Sequence, residues 1–210
     1  LNEDLLNFYK IIDKYSIDKI ICLDETSIQP YMMPEYGYCP LGKKCIEFTD
    51  NNFIYRKYTL LVAISSNGLV GAKIYKKGGM TKERFVDFIH IFIKDKYKDH
   101  LIILDNAGSH HNDTVKKSIT ESNNKYLFTI PYQPRTNTIE NWFSQLKHYL
   151  KLNKPSSSLD EIKQNINNAL KSIKFINYRN YFDNAYKNKE NRKYSKKQSS
   201  RKRKSKKYKE

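Results

Sequence analysis

The stretch from residue 131 to residue 147 reads PYQPRTNTIENWFSQLK. Its two prolines end the preceding element, because proline fixes φ and donates no backbone hydrogen bond. Thr136 or Asn137 can then cap a helix. The apolar residues that follow recur at helical spacing, and they are Ile139, Trp142, Phe143, Leu146, Tyr149 and Leu150. The stretch therefore predicts a helix with one buried face that begins close to Glu140.

Glu140 has two interpretations. Asn137-x-x-Glu140 is a capping-box pattern, and an acid suits the positive N-terminus of a helix. Taken by itself, Glu140 is therefore better explained as a cap than as a catalytic acid, since caps are common and catalytic acids rare. Two aspartates elsewhere in the chain favour the second interpretation.

These aspartates follow two short apolar runs. Residues 19–23 precede Asp24, and residues 101–104 precede Asp105. Both runs are typical of buried strands, and functional sites in open α/β sheets lie beyond the carboxyl ends of strands. Each aspartate alone is explained by a strand end or a turn. Together with Glu140, they predict three acids that converge on one edge of a sheet.

Three clustered carboxylates repel one another, so such a cluster needs a cation. Oxygen-only ligands suit Mg²⁺ or Mn²⁺ rather than zinc. Two such ions, about 3.5–4 Å apart, activate a water and stabilise the leaving oxygen of a phosphodiester. We therefore predict Asp24, Asp105 and Glu140 as catalytic residues and as metal ligands.

The remaining segments complete an α/β pattern. Strands are predicted over residues 55–65 and 69–75, with a hairpin turn at Asn67-Gly68, and over residues 126–130. Helices are predicted over residues 3–15, 81–97, 112–121 and 159–175. Hairpin strands followed by alternating helices and strands predict a mixed sheet flanked by helices, with the order of elements of an RNase H-like fold.

The charge of the chain is concentrated at one end. The 210 residues carry a formal net charge of +17. Residues 187–210 hold 13 Lys/Arg and 2 Glu, with almost no aliphatic residues. Such a segment is predicted to be a disordered basic tail, and the charge favours a polyanionic partner such as nucleic acid.

Composition also restricts the cellular setting. The three cysteines, Cys22, Cys39 and Cys45, match no zinc-binding spacing. An odd number of cysteines and the absence of a signal peptide or a bilayer-length apolar run favour a reduced, intracellular setting and no membrane partner.

Three sequence blocks resemble one known family. The first is LDET at residues 23–26 with Gly37-Tyr38, Pro40 and Gly42, and the second is LDNA at residues 104–107 with His110. The third comprises Pro131-Tyr132, Pro134, Asn137, Ile139-Glu140-Asn141, Trp142 and Lys147. In this order, and with 34 residues between Asp105 and Glu140, the blocks resemble DDE transposases of the insertion-sequence branch of the mariner-like superfamily. The resemblance covers roughly residues 19–151.

The resemblance implies an RNase H-like catalytic core that cleaves DNA and transfers strands at transposon ends. It further implies two Mg²⁺ or Mn²⁺ ions, transposon-end and target DNA as partners, a homodimer, and a location at DNA in a nucleoid or nucleus. Two alternatives stay open: a non-catalytic DNA-binding protein derived from a transposase, and a structure-specific nuclease on the same fold. Gln133 and Thr138 depart from the family, which usually has Ser and Pro there. Residues 1–18 are too short for the helix-turn-helix modules that precede the family's catalytic domain.

The expected organisation is an N-terminal helix or linker over residues 1–18, a catalytic domain over residues 19–178 and the basic tail. The expected supporting residues are Asn106, His110, Asn137 and Asn141. Asn106 either orients a carboxylate or tightens its turn, and His110 is as readily structural as functional. The expected DNA-binding residues are Arg135, Lys147, Lys151, Arg201, Lys202, Arg203 and Lys204.

Overall fold

A mixed sheet lies at the centre of the computed structural model, which describes residues 2–32, 37–46, 56–76, 78–108, 110–131, 133–153 and 155–193. Its strands in these ranges are β1 (Ile20–Ile28), β2 (Tyr58–Ser65), β3 (Gly68–Tyr75), β4 (Leu101–Leu104) and β5 (Lys125–Phe128). They form one sheet in the order β3-β2-β1-β4-β5. The first three pair antiparallel, while β4 runs parallel to β1 and β5 parallel to β4. The predicted mixed sheet is confirmed.

Helices cover both faces of this sheet. They are α1 (Asn2–Ile12), α2 (Lys82–Phe92), α3 (Asp113–Glu121), α4 (Ile139–Lys151), α5 (Leu159–Ser172) and α6 (Phe175–Phe182). The side chains of Thr81, Asn112 and Ser158 cap α2, α3 and α5, as these residue types favour. Helix α2 ends at Phe92 rather than at the predicted Tyr97, and the chain then turns through Asp95, which has a positive φ of 65°. Among the described residues, none of the helices is long and apolar enough to cross a membrane.

Side chains of β1 alternate between the two layers, as the period of a strand requires. Ile20, Cys22 and Ile28 lie in the larger core, which also holds the buried residues of α1, α4, α5 and α6. Ile21 and Leu23 lie in the smaller core against α2 and α3. Because α1 supplies Leu5, Phe8, Tyr9 and Ile12 to the larger core, the N-terminal segment is part of the packed fold rather than a linker.

The C-terminal end of the described chain is also packed. Helix α6 continues into a π-helical turn at Asp183–Lys187 and a 3-10 turn at Lys189–Arg192. Tyr186 is buried in the larger core, and Arg192 makes two 2.7 Å contacts with the carboxylate of Asp13. Residues 187–193 of the predicted tail are thus described as turns attached to the core, and Arg192 has a distant partner that composition cannot reveal. Residues 194–210 of the predicted tail lie outside the described residues.

The segment between β1 and β2 was predicted to consist of turns with a short strand possible over residues 30–45. Residues 37–46 contain no strand or helix, in agreement with turns. Residues 33–36 lie outside the described ranges.

Candidate active site

The sequence predicts Asp24 at the end of its strand, but the structure places it within β1. The strand continues to Ile28 because β2 pairs with it as far as Tyr58. Parallel pairing with β4 stops earlier, at Cys22 and Ile103. Extending that register by two residues brings Asp24 alongside Asp105, the first residue after β4. The parallel pairing of β1 with β4 thus brings together two acids that are far apart in the sequence.

The carboxylate of Asp24 is held by two hydrogen bonds in a buried position. Its side chain faces the larger core and the residue is 4% exposed. Oδ1 accepts from the backbone N–H of Glu25 at 2.7 Å, and Oδ2 accepts from Nδ2 of Asn137 at 2.8 Å. Burial and then the charge of Asp105 raise the pKa of Asp24 to about 7, although both hydrogen bonds lower it. Such a carboxylate gains most from a nearby cation.

His110 is fully buried between two carboxylates. Its Nε2 lies 2.9 Å from Oε2 of Glu25, and its Nδ1 is in ion-pair contact with Oδ1 of Asp105. The ring also packs against Phe85, with centroids 4.5 Å apart. Burial opposes the charged ring, but the two carboxylates outweigh it and raise the pKa of His110 to about 10. The buried imidazole therefore contacts both acids and fixes their positions.

Asp105 is half-buried in the turn that follows β4. Burial raises the pKa of its carboxyl group. The contact with His110 and the hydrogen bond from the backbone N–H of Ala107 lower the pKa by more than burial raises it, so the net shift is downward. The bond from Ala107 to Oδ1 is 3.0 Å long. The two aspartates thus have different neighbours. Asp105 contacts the imidazole of His110, whereas the carboxylate of Asp24 accepts hydrogen bonds from a backbone N–H and a side-chain amide.

Glu25 is a candidate site residue that the sequence interpretation missed. Ligand atoms of Asp24, Glu25 and His110 all lie within 4.8 Å of one another, the arrangement of a possible metal site. Neighbouring strand residues point to opposite faces, so the Asp24-Glu25 pair alone gave no reason to expect both in one site. The pairing of Glu25 with His110 across 85 residues depends on sheet order, which local patterns do not contain.

Glu140 lies exposed in the first turn of α4, three residues after Asn137. The predicted capping box is not formed. Thr138 occupies the cap position without a side-chain bond, and the amide of Asn137 binds Asp24 instead. The hydroxyl of Thr136 bonds to the backbone of Gln133 and Ile130, within its own loop.

The third acid is linked to Asp24 through the loop before its helix and not by direct contact. Helix α4 packs on the face of the sheet toward which Asp24 points. Glu140 makes no hydrogen bond or ion pair with Asp24 or Asp105 in the described part of the chain, and it is not part of the cluster formed by Asp24, Glu25 and His110. It borders a cavity of about 300 Å³ whose other lining residues are Pro134, Arg135, Asn141, Asn184, Ala185 and Asn191.

Asn106 is engaged away from the carboxylates. Its Nδ2 donates to the carbonyl of Thr129, and its Oδ1 lies 3.1 Å from Nε2 of His111. His111 in turn stacks on Phe128, with ring centroids 3.9 Å apart. These contacts favour the interpretation that Asn106 tightens the turn after β4 rather than orienting an acid.

The predicted DNA-binding residues are distributed over two regions. Lys147 and Lys151 are half-buried on α4, one turn apart, and Arg135 lies in the 3-10 turn before it. Arg201, Lys202, Arg203 and Lys204 lie outside the described residues.

A five-stranded mixed sheet flanked by helices, with Asp24 of β1 beside Asp105 directly after β4, has the RNase H-like fold. Within this fold class, residues 19–163 match the family described as DDE superfamily endonuclease. The match spans more than half of the chain, so the chain belongs to this family. No significant match is found among curated proteins.

Solved structures with the same fold come from Mos1 transposase. The chain is similar to the Mos1 transposase paired-end complex with left transposon end, with a TM-score of 0.73 at 16% identity over 89% of this chain and 59% of that chain. The Mos1 Strand Transfer Complex gives 0.71 at 15% identity over 89% and 57%. The catalytic domain of Mos1 mariner transposase gives 0.67 at 16% identity over 89% and 88%. The chain thus spans less than two thirds of the longer Mos1 chains.

Proposed function

We propose that this chain is the catalytic domain of a transposase. It cleaves DNA at transposon ends and joins the freed 3′-hydroxyl to target DNA, with Mg²⁺ or Mn²⁺ as cofactor and two ions in the site. The observation that carries the proposal is the alignment of the buried Asp24 with the half-buried Asp105, together with the bond from Asp24 to Asn137, in the loop before the helix that bears Glu140. Family membership and the fold shared with Mos1 structures, some of them solved with Mn or Mg, support it.

The residues present fit a divalent cation. Asp24, Asp105 and Glu140 offer the oxygen ligands that Mg²⁺ and Mn²⁺ prefer. Oδ1 of Asn137, next to Asp24, is a buried oxygen without a hydrogen-bond partner among the described residues. Buried polar atoms are normally satisfied, so an unpaired acceptor next to Asp24 is consistent with a cation site. We assign the metal to Asp24, Asp105 and Glu140, with Glu25 and His110 alongside.

The chain's own residues then have separate tasks. Two bound ions would supply an activated water and charge stabilisation for the leaving oxygen. Asn137 holds Asp24 in one orientation and favours its charged form. His110 fixes Asp105 and Glu25 so that their carboxylates need not rearrange, which is how preorganised sites accelerate phosphoryl transfer.

The partners in this proposal are transposon-end DNA and target DNA. Arg135, Lys147 and Lys151 contact phosphates beside the acids, and the basic tail with Arg201–Lys204 adds contacts without sequence preference. The active form is a homodimer that brings two ends together, and it works at DNA inside the cell.

The decisive experiment is a cleavage assay on DNA with and without candidate end sequences, in Mg²⁺, in Mn²⁺ and in EDTA. We expect metal-dependent cleavage at the ends, lost in Asp105→Asn and retained in the control Asp99→Asn, which removes an exposed acid at the opposite end of β4. DNA binding without cleavage in any metal would support the non-catalytic alternative. Cleavage that follows DNA shape and ignores the end sequence would support the structure-specific nuclease.

A further inference from the structure

A second cavity of about 720 Å³ opens where β2 begins and β3 ends. The described residues that line it are Arg56, Lys57, Tyr58, Lys76, Gly78 and Arg84. Four of these six residues are cationic, and none is acidic. Three separate segments contribute to this cationic cavity, namely the approach to β2, the exit from β3 and the first turn of α2. Such a lining favours an anionic ligand that is larger than a single ion.

Two acids of α2 are paired with lysines that do not line the cationic cavity. Asp87 pairs with Lys73 at 2.5 Å, and Glu83 lies 4.0 Å from Lys82. The positive charge of the lining is therefore not offset by either of these carboxylates.

Arg84 is held in a defined position against the cavity. Its Nη1 donates to the carbonyls of Gly78 and Gly79 at 3.3 and 3.0 Å. Its guanidinium also lies 4.9 Å from the ring centroid of Tyr75. An arginine that is ordered before binding loses less side-chain freedom when it contacts a phosphate.

The cationic cavity lies at the same end of the sheet as the acids. Asp24 is paired with Val62, and Tyr58 pairs with Ile28, four residues further toward the carboxyl end of β1. At about 3.4 Å per residue, this places the cavity roughly 14 Å from Asp24 along the strand. One DNA strand advances about 3.4 Å per nucleotide along its axis, so the offset corresponds to about four nucleotides.

We propose that the cationic cavity binds the phosphodiester backbone of DNA a few nucleotides away from the phosphate at the acidic site. The inference rests on the proposed function, because it requires DNA to lie across the carboxyl end of the sheet. Lys57 and Lys76 act as point charges for phosphates, and Arg84 supplies directed donors. Contacts of this kind position DNA without reading its sequence.

The test compares two pairs of exposed lysines that carry the same charge. Lys57→Gln/Lys76→Gln removes two charges from the cavity, and Lys98→Gln/Lys125→Gln removes two at the opposite end of the sheet, where β4 and β5 begin. The full chain is titrated with salt while its affinity for a random-sequence DNA duplex is measured. We expect the cavity variant to reduce the log–log salt slope by as much as about 1.8, from about 0.9 for each phosphate contact. The control pair should retain the wild-type slope.

Each outcome decides the matter. An unchanged slope in the cavity variant, or an equal reduction in both variants, would overturn the proposal. Lys57→Arg/Lys76→Arg, which keeps the charge, should restore the slope, and failure to do so with a folded protein would also contradict it. Metal-dependent nicking of a supercoiled plasmid that carries the candidate end sequences is measured in parallel. Absence of nicking by the wild-type chain, with the slope difference intact, would refute the proposed function and leave the DNA-binding cavity standing.

Discussion

Nδ2 of Asn137 donates a 2.8 Å hydrogen bond to Oδ2 of Asp24, across 113 residues of sequence. The bond joins the loop before α4 to the middle of β1. Because Glu140 follows three residues later in α4, this contact sets the first turn of that helix relative to the buried aspartate. The amide that the sequence offers as a helix cap is thus used to orient a carboxylate.

Replacement of Asn137 should therefore damage catalysis. In Asn137→Ala, Asp24 loses a donor that favours its charged form, so its affinity for a cation should fall. A hydrogen bond to a charged group contributes about 1.5–3 kcal/mol, which predicts a decrease in cleavage rate of about 10-fold to 100-fold at limiting Mg²⁺. The measurement is cleavage as a function of Mg²⁺ concentration. Asn168→Ala, on the exposed side of α5, serves as control, and equal behaviour of the two variants would contradict the assigned role.

Glu140→Gln separates the catalytic interpretation of this acid from the capping one. The substitution keeps size and removes a charge that the cations need, so cleavage should fall by several orders of magnitude. Thermal unfolding should stay near wild type, because Glu140 is exposed and makes no side-chain bond to its own helix.

Glu161 provides the matched control for Glu140. Its carboxylate accepts from the backbone N–H of Ser157 at 2.7 Å at the start of α5. Glu161→Gln should therefore lower the melting temperature and leave cleavage unchanged. If Glu140→Gln behaves in the same way, with lost stability and normal cleavage, Glu140 is a cap and not a catalytic acid.

Local signals predicted much of the fold. Short apolar runs marked β1 and β4, and Asn67-Gly68 marked the hairpin. Each of these features depends on residues within a few positions of one another, so a single sequence contains the necessary information.

Features that depend on distant partners were missed or misplaced. Strand β1 runs past Asp24 because β2 pairs with it, and Glu25 enters the site because His110 approaches from the turn after β4. The order of strands in the sheet creates both contacts. Asp24 and Asp105 were nevertheless predicted together, since parallel strands that end in acids meet at one edge whatever their exact register.

Tyr186 lies outside the residues that match the family, but we expect its substitution to affect cleavage. It is fully buried, its hydroxyl lies 3.2 Å from Sγ of Cys22, and it donates to the carbonyl of Thr136 at 3.2 Å. Thr136 precedes Asn137, so Tyr186→Phe leaves a buried carbonyl unpaired beside the loop that orients Asp24. We expect a loss of about 1–3 kcal/mol in the free energy of unfolding and a higher Mg²⁺ requirement for cleavage.

Tyr178→Phe is the comparison for this prediction, because Tyr178 is also buried in the larger core but lies in α6 against Trp142. It should lower stability without changing the Mg²⁺ requirement. Loss of stability alone in Tyr186→Phe would show that its hydroxyl has only a structural role.

The ion pair between Asp13 and Arg192 predicts a pH-dependent contribution to stability. Arg192 lowers the pKa of Asp13 through its hydrogen bonds, which outweigh the opposing effect of burial. A carboxyl group whose pKa is lower in the folded state stabilises the protein above its unfolded pKa, and this contribution is lost as the pH falls through the folded value. Asp13→Asn should therefore be less stable than wild type at neutral pH, and the difference should shrink below the ordinary value of 3.8. The measurement is a series of urea unfolding curves across pH, with Asp95→Asn at an exposed position as the control.

Two truncations distinguish the packed part of the basic segment from the rest. Deleting residues 194–210 removes nine Lys/Arg and one Glu and leaves the Asp13–Arg192 pair in place, so the melting temperature should not change. Deleting residues 187–210 also removes Arg192 and should lower it.

Both truncations should flatten the salt dependence of DNA affinity, by roughly 3.6 in log–log slope if the tail engages about four phosphates. Specific and random DNA should be weakened alike, because phosphates carry no base identity. Slopes identical to wild type would show that the tail does not contact DNA, and selective loss of specific binding would show that it reads sequence.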